Sequence, residues 1–142
     1  MLIMKNIIIL FCCLITCSVL SQDIYGQWKT IDDQTGEAKS IVDIYEENGK
    51  TFGKIVEVLN PNDRDALCNK CEGAEKDTPV LGLVIIKNMI KDGKYYKKGT
   101  IFDPQDGKTY KCRLALDEDP NVLQVRGYVS FLYATQYWVR EN

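Results

Sequence analysis

The segment Cys68-Asn69-Lys70-Cys71 carries the most chemistry in its spacing. Two thiols at this separation can close a small disulfide, exchange electrons as a redox pair, or supply half of a zinc site. Redox exchange wants the first thiol at a helix start, where its pKa falls. Here acidic loop residues flank the pair on both sides and raise thiol pKa values instead. Zinc would need a further ligand such as Asp65 or Glu72. The leading reading is a Cys68–Cys71 disulfide that pins a surface loop. The alternative joins one of the two to Cys112, and either way one thiol is left over.

The sequence of 142 residues holds no histidine. Ser-His and Cys-His catalysis and histidine-bearing zinc sites are therefore excluded for this chain. Two aspartate pairs, Asp32 with Asp33 and Asp103 with Asp106, could act as acid and base or hold a metal. Turn chemistry explains them more simply, because Asp bonds its own backbone there. No set of residues has the spacing a catalytic site requires, so no enzyme activity, cofactor or metal is expected. Two cations stand apart. Arg126 shares a strand face with Gln124 and Tyr128, opposite Leu123, Val125 and Val129. It is a solvated residue if that face looks outward, and a buried cation needing an anion if it looks inward. Arg140 follows Trp138 near the end of the chain, where it can stack on Trp28 by a cation–π contact.

The elements that must position these residues are strands. Gly26 to Ile31 opens the series and runs into the turn Asp32 to Gly36. Ser40 to Tyr45 and Thr51 to Leu59 flank Asn48-Gly49, which favours a type I′ hairpin because both residues accept positive φ. Gly53 marks a bulge or bend. A polar stretch from Asn60 to Pro79 reads as a long loop. The run Val80 to Ile86 is nearly all apolar and fits either a buried strand or a segment capping a barrel mouth. Gly99 to Asp103, then Pro104 to Gly107, then Lys108 to Leu116 make another hairpin. In its second arm Tyr110, Cys112, Leu114 and Leu116 share one face, which points Cys112 inward. Leu123 to Val129 and Ala134 to Arg140 complete the set. Seven or eight short strands without a long amphipathic helix predict an all-β fold, a small antiparallel up-and-down β-barrel of about eight strands. Closure also removes the exposed strand edges.

The first residues are read separately. Lys5, the apolar run Ile7 to Leu14 and Val19-Leu20-Ser21 form a signal-peptide pattern over residues 1–21, with cleavage before Gln22. The apolar run is short of the roughly 20 residues of a membrane span. Leu14-Ile15-Thr16-Cys17 approximates a lipobox, so anchoring through a lipidated Cys17 is a minor alternative. Residues 22–142 then make one barrel domain, with 17 basic against 20 acidic residues and a net charge of −3. Its lysines are interleaved with acids, which gives no nucleic-acid surface. Export to the periplasm or the medium is the expected localisation.

Gly26-x-Trp28-Lys29-Thr30-Ile31-Asp32-Asp33, Gly53-Lys54-Ile55, Cys68-x-x-Cys71, Pro79-Val80-x-Gly82-Leu83, Gly99-x-Ile101-x-Asp103-Pro104, Val125-Arg126-Gly127-Tyr128 and Gln136-x-Trp138-x-Arg140 fall in this order along the chain. Together they resemble the signatures of the bacterial domain-of-unknown-function 2147 family. The resemblance implies an exported bacterial protein with a lipocalin-like barrel, and it implies no activity. The segment Tyr128 to Leu132 departs from it, standing where the family is richer in glycine. On the barrel reading, Trp28, Trp138 and Arg140 close the barrel. Phe52, Tyr110, Tyr128 and Tyr137, with Arg126, are the expected lining of a site for a small apolar or amphipathic ligand. The alternative is a structural or protein-interaction module of the envelope, with a filled interior.

Overall fold

A computed structural model describes residues 22–142, and the signal-peptide and Cys17 readings lie outside them. Eight strands run in chain order: β1 (Gly26–Ile31), β2 (Ala38–Glu47), β3 (Lys50–Val58), β4 (Val84–Asp92), β5 (Tyr95–Asp103), β6 (Lys108–Leu116), β7 (Val122–Val129) and β8 (Leu132–Arg140). Each pairs antiparallel with the next, and β8 returns to β1, so the sheet is a closed barrel. The only helical pieces among the described residues are two short 3-10 turns, Pro61–Asp63 and Gly73–Glu75.

Local chemistry sets the corners. Asn48 and Gly49 both take positive φ, 52° and 77°, as the tight turn between β2 and β3 requires. At Gly53 the register of β3 against β4 shifts. A Cβ there would come within 3.1 Å of Ile86 and Val42 side chains, so the glycine makes room for side chains of both neighbouring strands over β3. Two non-glycine residues inside strands, Asn88 and Lys98, also have φ near 60°. The shift at Lys98 lies between Tyr96 and Gly99 in the pairing of β5 with β6. Such bulges bend strands and allow the sheet to curl shut.

The apolar run Val80 to Ile86 is divided. Val80 to Leu83 is irregular, with Gly82 at φ 97°, and β4 begins at Val84. Gly82 N donates to Ile55 O and Ile55 N to Leu83 O, each at 2.9 Å, which ties this segment to β3 as an extra rung. The preceding loop is held by the Cys68–Cys71 disulfide and by a bridge between Leu67 and Pro79. Cys68 N donates to Thr78 O at 2.7 Å, and Asp77 N to Cys68 O at 2.9 Å.

The two ends of the barrel differ. At the lower end Trp28, Val42, Ile44, Ile86, Met89, Leu114 and Leu123 are fully buried and pack together. Trp28 Nε1 donates to Ile24 O at 2.8 Å, so the residues before β1 fold across the base. Burial of an indole with its N–H satisfied contributes heavily to such a core, and Trp→Ala changes cost about 3–5 kcal/mol. The upper end carries the β1–β2 loop, the long β3–β4 loop, and the β5–β6 and β7–β8 turns.

Candidate functional site

The upper half of the barrel encloses a cavity of about 880 Å³ that opens at the upper mouth. Its apolar wall includes Ile55, Ile85, Ile101, Phe102, Val125 and Trp138. These residues come from β3, β4, β5, β7 and β8; alternation turns Ile101 inward, while Phe102, next to it, reaches the cavity from the end of β5 at the mouth. Polar groups such as Asp32, Asp33, Lys39, Asp63, Asp103 and Gln136 share the lining, and several are bonded to one another. Thr30 Oγ1 and Ser40 Oγ lie 2.8 Å apart. Trp138 Nε1 donates to Gln136 Oε1 at 3.1 Å, and Gln136 Nε2 donates to Asp33 Oδ2 at 3.3 Å. A concave chamber with an apolar wall and convergent polar groups is a form that small-molecule sites take.

The aspartates of the two pairs sit at the mouth, in its turns. Asp32 Oδ1 accepts from Gln34 N at 2.8 Å and Thr35 N at 3.0 Å. These bonds, with Lys39 nearby, hold the Asp32 carboxyl below its usual range. Asp103 Oδ1 accepts from Gln105 N and Asp106 Oδ1 from Lys108 N, at 2.8 and 2.7 Å. The other Asp106 oxygen takes a short hydrogen bond from Tyr110 OH. That bond is the main cause pushing the Tyr110 phenol up to about 12. Among the described residues no group of three or more His, Cys, Asp or Glu is placed to hold a metal ion.

The sequence-derived lining divides sharply. Tyr110 faces the cavity. Phe52, Arg126, Tyr128 and Tyr137 face out, which corrects the expectation that they line the interior. The reason is the period of two. On β3, Thr51, Gly53 and Ile55 take the buried positions, so Phe52 points away and stacks on Tyr45 at 5.8 Å between ring centroids. On β7, Leu123, Val125 and Gly127 turn inward and leave Arg126 and Tyr128 outside; on β8, Gln136 and Trp138 do the same to Tyr137. Arg126 is therefore not a buried cation. Its Nε donates to Thr135 Oγ1 at 2.8 Å, and its guanidinium lies 4.2 Å from the Tyr133 ring centroid.

Closure involves Trp28, Trp138 and Arg140 in different ways. Trp28 pairs with Arg140 and Lys29 with Val139, the two register pairs that join β1 to β8. Trp138 pairs with Leu123, shares the buried core with Trp28 and also borders the cavity. Lys29 Nζ and Glu141 Oε2, 2.9 Å apart, brace the seam outside. The residues that spacing missed are the aliphatic cavity wall and Phe102. The alternation around Val125 and Trp138 points inward in the sequence, whereas the bulges of β4 and β5 conceal Ile85 and Ile101.

A solved structure described as "Protein HP1028 from the human pathogen Helicobacter pylori belongs to the lipocalin family" is similar in fold. The TM-score is 0.74 at 21% sequence identity, over 86% of this chain and 85% of that one. Among curated proteins none matches the sequence. Residues 26–140 match the family described as "Uncharacterized protein conserved in bacteria (DUF2147)". With the whole barrel inside that match, the chain belongs to the DUF2147 family and has a lipocalin-like fold.

Proposed function

We propose that this protein is an exported binding protein that holds a small apolar or amphipathic ligand in the upper half of its barrel. The observation that carries this reading is the cavity of about 880 Å³, open at one mouth and walled by Ile55, Ile85, Ile101, Phe102 and Trp138. Its size falls in the range of about 300–1,000 Å³ usual for small-molecule sites. A filled interior would have favoured a purely structural module. The sealed base leaves the upper mouth as the entrance, and an apolar wall together with polar lining residues such as Lys39, Asp63 and Gln136 suits an amphipathic ligand. Binding rather than catalysis also suits the aspartates, each of which commits at least one oxygen to a turn N–H group or to Gln136, and Asp106 its second to Tyr110.

Native mass spectrometry of protein purified from its own host tests the proposal. A retained molecule that is displaced by organic extraction, with Trp138 emission changing on its return, is the expected result. Protein that carries nothing, and whose emission ignores a series of alkyl and aromatic probes, would overturn it.

A further inference from the structure

The β7–β8 turn exposes a cluster of apolar side chains, of which Val129, Leu132 and Tyr133 also border the cavity mouth and Phe131 does not. Phe131 is 86% exposed, and Val129, Leu132 and Tyr133 are each more than half exposed. Ser130 at φ 55° turns the chain so that these residues form the tip of a hairpin beside the cavity mouth. Phe131 in particular gains nothing from its place in the folded barrel, and the exposed patch costs solubility.

The wall below the tip is cationic and aromatic. Arg113 on β6 and Arg126 on β7 are direct cross-strand partners. Like charges placed directly opposite are destabilising in a sheet. Neither is relieved by an acid, for among the described residues no ion pair involves Lys111, Arg113 or Arg126. Each guanidinium instead rests on a tyrosine ring, Arg113 at 4.5 Å from the Tyr95 centroid and Arg126 at 4.2 Å from that of Tyr133. Lys94 and Lys97 approach the same Tyr95 ring at 5.1 Å, and only Lys97 has an acidic neighbour, Asp92. Lys111 stands opposite Tyr128, whose ring contacts Tyr133 next to the tip. Acids at the same mouth lie in the β5–β6 turn and the β1–β2 loop rather than on the outer wall of β6–β8. In the former Asp103 and Asp106 accept turn N–H groups; in the latter Asp32 accepts turn N–H groups and Asp33 accepts from Gln136 of β8.

We infer that the β7–β8 tip and the adjoining outer wall of β6–β8 dock on an anionic lipid surface, with Phe131 and Leu132 inserted among the acyl chains. Tyr128 and Tyr133 lie at the depth where aromatic side chains settle at a membrane–water boundary. Lys111, Arg113 and Arg126 meet the head groups. At about 3.3 Å per residue, Arg126 sits roughly 13 Å down the strand from Ser130, so the barrel rests on its side rather than on its tip. The charge complementarity selects an anionic surface, because each Lys or Arg near such a surface contributes about fivefold in partitioning.

Phe131→Trp places a reporter at the tip itself. Its added emission, relative to the parent chain, is expected to shift to the blue, and to be quenched by brominated acyl chains, on adding vesicles of equimolar phosphatidylcholine and phosphatidylglycerol but not of phosphatidylcholine alone. In sedimentation with the same vesicles, the full chain carrying F131S and L132S, or R113Q and R126Q, is expected to bind at least tenfold more weakly than the unsubstituted chain. None of the four side chains belongs to the buried core, and unchanged thermal unfolding checks that the barrel persists. Equal binding by the variants, no shift in the emission of the Phe131→Trp chain, or a tip found buried in a dimer that F131S dissociates would each overturn the assignment. Because none of these readouts uses a cavity ligand, failure here leaves the ligand-binding proposal standing, and the reverse.

Discussion

The Arg140 guanidinium carbon lies 4.2 Å from the centre of the Trp28 ring, across the seam where the last strand meets the first. Its nitrogens also donate to three backbone carbonyls, Tyr25 O at 3.2 Å, Asp23 O at 3.1 Å and Pro120 O at 3.3 Å. One side chain thus joins the segment before β1, the β6–β7 turn and β8 around the indole that seals the base. Replacing Arg140 by Met should cost on the order of 2 kcal/mol, from the lost cation–π contact and charge-assisted bonds. Lys should rescue little, since it lacks the planar fork that serves several carbonyls at once. Urea unfolding of both variants measures the difference, and equal midpoints with the parent chain would contradict this role.

The ends of the chain were legible in the sequence for this reason: Trp28 and Arg140 are few-choice residues, and only a closed sheet brings them together. The hairpin turns were legible as well, because Asn48-Gly49 and Asp106-Gly107 state their backbone geometry locally. Facing was not. Tyr96 and Ile101 have opposite parity, yet both turn inward, because the extra residue at Lys98 flips β5 between them. An aromatic residue such as Phe52 or Tyr137 looks like cavity lining until its neighbours Thr51, Gly53 and Trp138 are seen to occupy the inside. Aliphatic wall residues such as Ile85 carry no mark that separates a lined cavity from a packed core; only the three-dimensional spacing of opposite walls does that.

Gly99 tests how tightly β5 and its neighbour β4 meet. A Cβ built on it would overlap the Lys87 carbonyl oxygen and the Met89 sulfur, and would lie 2.8 Å from Met89 N. Two of these atoms are backbone and cannot swing aside. Gly99→Ala should therefore destabilise the barrel by about 1–3 kcal/mol or more, the cost of overpacking. Gly53→Ala, with contacts of 3.1 Å to side chains alone, should cost less. Thermal unfolding that ranked the two variants the other way would show that β4 yields more readily than its bulge at Asn88 suggests.

The thiol of Cys112 is buried, and desolvation pushes it up to about 12. Reaction needs the thiolate, so folded protein should resist a thiol reagent at pH 8 while denatured protein reacts at once. Cys68 and Cys71 are tied to each other and should stay silent until reduced. Their loop is short, so C68S with C71S should cost only about 2 kcal/mol. Rapid labelling of Cys112 in the folded state would place that strand face outside the core.

Asp32 makes the acid limb of stability predictable. Its pKa is depressed by the N–H groups of Thr35 and Gln34, so the carboxylate is bound more tightly in the folded chain than in the unfolded one. Its contribution is present above the unfolded value and is lost as pH falls through the lower, folded value. Asp32→Asn should flatten the fall in unfolding midpoint between about pH 5 and 3. An unchanged acid slope would assign that fall to other carboxylates.

The outward facing of Tyr137 and the inward facing of Ala134 give the cavity its most direct test. Both lie on β8, but Ala134 belongs to the cavity wall near the mouth, whereas Tyr137 is 52% exposed on the outer face. Ala134→Trp fills space that is open to solvent in the parent barrel, so it need not displace packed atoms and should change stability by less than about 1 kcal/mol. It should nevertheless weaken binding of an apolar fluorescent probe at least tenfold, because the indole occupies the path the probe must take. Tyr137→Ala should leave probe binding unchanged, as no atom of that ring reaches the chamber. Probe titration of the two variants separates the faces of one strand, and a loss of binding in Tyr137→Ala alone would move the ligand site from the interior to the outer wall.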